Sequence, residues 1–142
     1  MSFEELPHTA DVRIRARAAT LDGIFADLTN ALMQVMYGKE PHSPGLKGAL
    51  TREIDASGDD TGSLLRNFLS DVLFVSEVDR IVFTGATVQV LEKEHTLHAV
   101  LSGEPFDPAR HAGGTEVKGI SFSGLRIEQD TNGYIAEIVF DV

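Results

Sequence analysis

From Val12 the chain alternates, with Val12, Ile14, Ala16 and Ala18 on one side and Arg13, Arg15 and Arg17 on the other. A period of two marks a strand with one buried face. The arginine row reads more readily as a solvated outer face than as a binding stripe. Thr20 then offers an N-cap, and Leu21, Ile24, Phe25, Leu28, Ala31, Leu32, Val35 and Met36 recur at helical spacing until Gly38 ends the pattern. Two prolines and two glycines between Lys39 and Gly48 predict a loop, followed by a short strand over Leu50 to Ala56. A second helix is expected after Ser57-Gly58-Asp59-Asp60, where Asp59, Asp60 and Thr61 supply acceptors and negative charge and Leu64, Leu65, Phe68, Leu69, Val72 and Leu73 form the apolar stripe.

The remainder reads as β-structure. Ile81 to Leu91 and His95 to Leu101 predict a hairpin closed by Glu92-Lys93-Glu94, and Val117 to Phe122, Leu125 to Glu128 and Tyr134 to Val142 predict three more strands separated by glycine-containing turns. Strand and helix do not alternate for long. The expected class is therefore α+β, with two amphipathic helices packed on a largely antiparallel sheet. The length of 142 residues suits one compact domain over residues 1–142.

Charge narrows the function. Twelve basic and 22 acidic side chains leave a net charge of −10, which repels phosphate backbones and argues against strong direct binding of nucleic acid. With no cysteine, thiolate metal sites are excluded and any metal must be held by oxygen or imidazole. No basic segment precedes an apolar run at the N-terminus and no run of about 18 apolar residues occurs, so a cytoplasmic protein without membrane association is expected.

The densest ionisable stretch, GEPFDPARHAGGTEVKG from Gly103 to Gly119, carries Glu104, Asp107, Arg110, His111, Glu116 and Lys118. It is expected to be a loop, stiffened by Pro105 and Pro108 and loosened by Gly113 and Gly114. Such loops carry function more often than core segments do. Equally, Asp107-Pro108 is a turn opener and Arg110 has Glu104 and Asp107 as ion-pair partners. Alternation puts Lys118 on the face of Ile120 and Phe122, which should point to the core. Either Lys118 lies at the sheet rim with its stem packed and its head in water, the commoner case, or its ammonium is held for a task.

His8-Thr9-Ala10-Asp11 could hold a metal or a proton, but so short a motif is not specific. His95 and His98, three apart in a strand, would face opposite ways, and no zinc spacing is visible. Along the last strand Ile138 and Phe140 should face the core while Glu137, Val139 and Asp141 face away. The Asp141 side chain then stands beside the terminal carboxylate of Val142. If this strand lies beside the one entered at Asp11, three carboxylates converge, and such hard oxygen donors suit Ca²⁺ or Mg²⁺. A metal-dependent hydrolase using Asp11, Asp141 and the Glu104 to Lys118 stretch is the enzymatic alternative. Against it, no phosphate loop, nucleophile elbow or His-Glu-x-x-His pattern is present.

Four blocks in register carry a resemblance: His8-Thr9-Ala10-Asp11, Gly103 to Pro108 with Arg110-His111, Thr115-Glu116-Val117-Lys118, and Phe140-Asp141-Val142. From residue 8 to its end the chain resembles the archease family. The resemblance implies a small, non-catalytic accessory protein that activates an RtcB-type RNA ligase of tRNA splicing and RNA repair by promoting guanylylation and repeated turnover. It also implies a divalent cation, Ca²⁺ first and Mg²⁺ second, on Asp11, Asp141 and the terminal carboxylate of Val142. Lys118 matches the family's activating lysine, with His8, Glu104, Asp107, Arg110, His111 and Glu116 completing the matched motifs. A tRNA methyltransferase is the alternative partner, served in a chaperone-like way. After the lysine block the family often has an aromatic-His pair, where this chain has Phe122-Ser123.

Overall fold

The computed structural model describes residues 2–6, 11–38 and 50–142; the expected loop from Lys39 to Gly48 and His8 lie outside the described residues. The described elements run β1 (Phe3–Leu6), β2 (Val12–Ala18), α1 (Leu21–Tyr37), β3 (Leu50–Ser57), α2 (Thr61–Asp79), β4 (Ile81–Leu91), a 3₁₀ turn, β5 (Thr96–Pro105), α3 (Pro108–His111), β6 (Gly119–Asp130) and β7 (Gly133–Asp141). The class is α+β, as expected. The single sheet is corrected to two, in the orders β1-β2-β7-β6 and β3-β5-β4, with every pairing antiparallel.

Both long helices start where the sequence places them. Thr20 caps α1 by accepting the Gly23 N–H at 3.0 Å, and Asp60 caps α2 by accepting the Ser63 N–H at 2.7 Å. Gly38 ends α1 at φ +90°, a conformation that favours glycine. Helix α1 packs on β4 of one sheet and on β2 and β7 of the other; α2 packs on β3 and β6. Phe25, Phe68, Phe83 and Phe140 are fully buried in the core between these layers.

Several expectations at strand ends are corrected. The edge strand β1 was not legible, and β5 begins at Thr96, leaving His95 in the preceding turn at φ +53°. The two strands expected over Val117–Phe122 and Leu125–Glu128 are one, β6, whose pairing with β7 breaks between Ser121 and Arg126. This bulge turns Phe122 outward, 55% exposed, instead of into the core.

Of the arginine row, Arg17 is exposed as expected, but Arg13 and Arg15 form neither a free solvated face nor an open binding stripe. Glu137, on β7, is 2% exposed and accepts from Arg13 at 2.5 Å, Arg15 at 3.3 Å and Arg126 at 2.7 Å. Thus Glu137 and Val139, expected to face away from the core, are both buried. Burial pushes the Glu137 carboxyl up, but the hydrogen bond from Arg13 and the charges of Arg126, Arg13 and Arg15 outweigh it, so its pKa lies below the ordinary 4.5. Such a group stabilises the fold fully above the unfolded value and ceases to do so as pH falls through the lower folded value. Glu137→Ala is expected to lower stability by about 2–3 kcal/mol, less than a fully buried pair because the arginines are partly exposed. In urea titrations the wild-type advantage over Glu137→Gln should disappear below that folded pKa; a gap that does not change with pH would contradict the cluster's role.

Candidate functional site

The functional candidates divide into a buried knot and a half-buried end of the sheet where Lys118 is exposed. Because β5 continues to Pro105, Glu104 stands on a strand and not in a loop, with its carboxylate turned inward and the residue 3% exposed. Its Oε1 accepts from His111 at 2.8 Å and from Arg110 at 3.2 Å, so the expected Arg110–Glu104 pair forms. Asp107 creates the one-turn helix α3. Its Oδ1 accepts the Ala109 N–H at 3.0 Å, and Pro108 occupies the first turn, where its missing N–H costs nothing. The Asp107 N–H donates to His111 Nδ1 at 2.9 Å. The ring proton therefore sits on Nε2 and is donated to Glu104.

Aromatic packing encloses the knot. The His111 ring lies 6.3 Å from Tyr37 and 5.9 Å from Phe106, with Tyr37 and Phe106 5.7 Å apart. Ser76 Oγ donates to the Ile81 carbonyl at 2.7 Å, so the Tyr37 hydroxyl, 2.6 Å away, donates to Ser76. Burial raises the Tyr37 phenol above its ordinary value, against the opposing pull of that hydrogen bond. The knot thus joins the end of β5 to the last turn of α1 and to α2.

From His111 the chain crosses the end of α1. Gly114 lies so close to the Met36 carbonyl that any Cβ would overlap it. The next residue, Thr115, donates its N–H to the Val35 carbonyl at 2.8 Å, satisfying an acceptor left unpaired at the helix end. Gly113 and Gly114 therefore do not loosen this stretch, since Gly114 permits its closest contact. Val117 is buried and anchors the segment, while Glu116 and Lys118 are exposed. Lys118 precedes β6, so it does not share a core-facing side with Ile120 and Phe122. Its N–H donates to the Asp141 carbonyl at 2.7 Å, which fixes it beside the last strand.

The β2–β7 register sets Val12 opposite Phe140. Asp11 and Asp141 each follow one position outward, so β-pairing brings these distant residues to the same end of the sheet. Gly119 pairs with Asp141 on the other side. Among the described residues no three His, Asp or Glu side chains form a metal-holding cluster. At His98 the two flanking carboxylates bind opposite ring nitrogens, Asp55 at 2.7 Å and Glu53 at 3.4 Å, so they do not converge on one point.

The archease protein family (MTH1598/TM1083) model matches residues 3–142. The chain belongs to the archease family. It is 32% identical to the archease of Methanopyrus kandleri over the whole of both chains, and 34% identical to that of Methanosarcina acetivorans, covering 99% of this chain and 95% of the other. A relative from the fish Ictalurus punctatus is 37% identical over 88% of this chain and 76% of its own. The fold matches the solution structure of Methanobacterium thermoautotrophicum protein 1598, with a TM-score of 0.73, 24% identity and 99% coverage of each chain. It also matches the crystal structure of a Thermotoga maritima archease described as a possible chaperone, with a TM-score of 0.59, 13% identity and coverage of 98% and 96%.

In this archease the matched motifs that can be described fall into two groups. Glu104, Asp107, Arg110 and His111 meet in the knot; Asp11, Asp141, Val142 and Lys118 lie at the end where β2 and β7 meet. Glu116 is on the segment between them, and His8 is outside the described residues. Sequence reasoning missed Tyr37 and Phe106 as walls of the knot. Tyr37 had a signal, an aromatic residue directly before the helix-ending glycine. No helix among the described residues is long and apolar enough to cross a membrane.

Proposed function

We propose that this archease is a non-catalytic, cytoplasmic accessory protein that activates an RtcB-type RNA ligase by promoting guanylylation and repeated turnover. The observation that carries the reading is Lys118, an exposed ammonium whose backbone is tied at 2.7 Å to Asp141 at the end of the last strand. A charged group held on a fixed scaffold can enter a partner's active site without first being ordered, and preorganised charge lowers barriers efficiently. The surplus of acidic groups favours a cationic protein surface over RNA.

A divalent cation at the same end belongs to this proposal, with Asp11, Asp141 and the terminal carboxylate of Val142 as ligands. The donor chemistry fits, because all three are hard oxygen anions, and Asp11 and Asp141 each stand one residue beyond the Val12–Phe140 pair. Ca²⁺ is the first choice and Mg²⁺ the second. Bound there, the ion would join β2 to the chain's last residue and set the charge beside Lys118. At about 100-fold excess over its dissociation constant it should stabilise the fold by about 2.7 kcal/mol. Asp11→Ala and Asp141→Ala should abolish the rise in melting temperature, and a C-terminal tag, which turns the terminal carboxylate into an amide, should weaken it where an N-terminal tag does not. An unchanged metal response in all of these proteins would reject the site.

The activation itself is tested by multiple-turnover ligation. With RNA in excess over a cognate RtcB-type ligase, GTP and Mn²⁺, substoichiometric archease should raise the RNA joined well beyond one equivalent per ligase. Product that stays at one equivalent would contradict the reading.

A further inference from the structure

Three of the large apolar side chains exposed among the described residues are Phe74 and Val78 on α2 and Phe122 on β6. Arg66, Ser70, Phe74 and Val78 are spaced by four on α2, forming one inclined ridge of the kind that helices seat in a partner's groove. At 1.5 Å per residue the row is about 18 Å long. Phe122 extends it, because the Arg66 guanidinium lies 4.8 Å over its ring and also donates to the Ile120 carbonyl at 3.1 Å. The bulge in β6 turns this ring outward. Leu125 lies beside Gly62 and Ile120 beside Arg66, so α2 runs antiparallel to β6 and the ridge heads toward the end of the sheet that holds Lys118.

From this geometry we propose that the Phe122–Arg66–Phe74–Val78 ridge is the docking surface for the protein partner, taken up by an apolar groove with a basic rim. The inference rests on the function proposed above and names where the ligase is gripped. Charge decides the occupant. Asp71 and Glu77 are exposed on α2 within three positions of Phe74, so a rim of lysine or arginine complements the Phe74–Val78 stretch, while the Arg66 guanidinium is turned onto the Phe122 ring and the Ile120 carbonyl. A second copy of this chain would bring these carboxylates close to like charges on a molecule of net charge −10. Exposed aromatic and arginine side chains together are the residue types that dominate binding energy in interfaces. Docked here, the protein would present Lys118 and Asp141 along the same edge of the contact.

The test measures affinity for a cognate RtcB-type ligase by biolayer interferometry with the full chain. Phe74→Glu with Val78→Glu should weaken binding by about 30-fold or more, the factor equivalent to a hot-spot loss. Phe122→Ala should weaken it by a smaller factor. Asp71→Lys with Glu77→Lys should slow association and flatten its salt dependence. Leu91→Glu, an exposed apolar site on β4, should leave binding unchanged, and all variants should retain the wild-type melting temperature. Wild-type binding with an unchanged affinity in Phe74→Glu/Val78→Glu would overturn the ridge while leaving the activator reading intact. A wild-type protein that neither binds the ligase nor stimulates it would overturn both. Self-association that Phe74→Glu abolishes would assign the ridge to a second copy and overturn the proposal.

Discussion

Lys118→Ala is expected to remove nearly all stimulation of ligase guanylylation, lowering the stimulated rate by about 100-fold, while the melting temperature stays within a degree or two of wild type. The two effects separate because the Lys118 tie to Asp141 runs through its backbone, which alanine keeps. The side chain is exposed, and substitutions of that kind change stability by about 0.5 kcal/mol or less. In activity, loss of one preorganised hydrogen-bond donor typically reduces rate by about 10²–10³. Lys118→Arg should recover only part of the effect, since a planar guanidinium replaces a compact ammonium. Rate measurements with archease in excess, beside thermal melts, decide the matter. Full stimulation by a folded Lys118→Ala protein would remove this residue from the mechanism.

His111→Ala is expected to have the largest effect on stability, about 3–5 kcal/mol from the lost hydrogen bonds and the cavity, or roughly 10–17 °C in melting temperature. The substitution leaves the buried Glu104 carboxylate without its 2.8 Å imidazole donor and takes the acceptor from the Asp107 N–H. It also opens a cavity between Tyr37 and Phe106. Glu104→Gln, which keeps the shape and an acceptor while removing the charge, should be milder. Because the chain from His111 leads through Gly114 and Val117 to Lys118, the loss should reach function as well. Hydrogen exchange should report faster opening from His111 to Lys118 than in the strands β2 and β7. A His111→Ala protein with wild-type stability would show that the knot does not hold this segment.

The two helices were legible because period 3.6, an N-cap and, for α1, a stopping glycine agree along each of them. Strand β2 was legible for the same kind of reason, since Ile14 and Ala16 are buried where the alternation puts them. The division into two sheets was not, because no local pattern states which strands pair, and β1 is too short to show a period. At the bulge in β6, alternation failed for Phe122 because it assumes an unbroken ladder. The local clue was Gly124, which adopts φ +78°. Glu137 could not be placed from its own strand, as its three arginine partners come from β2 and β6. At the functional candidates the residue types were visible but their partition was not. The sequence offers Glu104 and Lys118 as one polar run, whereas the fold buries the first and exposes the second.

Activation of the ligase is tested by a time course of ligase–guanylate adduct formation with radiolabelled GTP and Mn²⁺. It compares a cognate RtcB-type ligase alone with the same ligase given substoichiometric archease, wild type or Lys118→Ala, each first confirmed to be folded. Adduct formation should be faster with wild-type protein, with little or none of that gain for Lys118→Ala, and archease alone should not hydrolyse GTP. Identical adduct kinetics with and without folded wild-type archease would contradict activation.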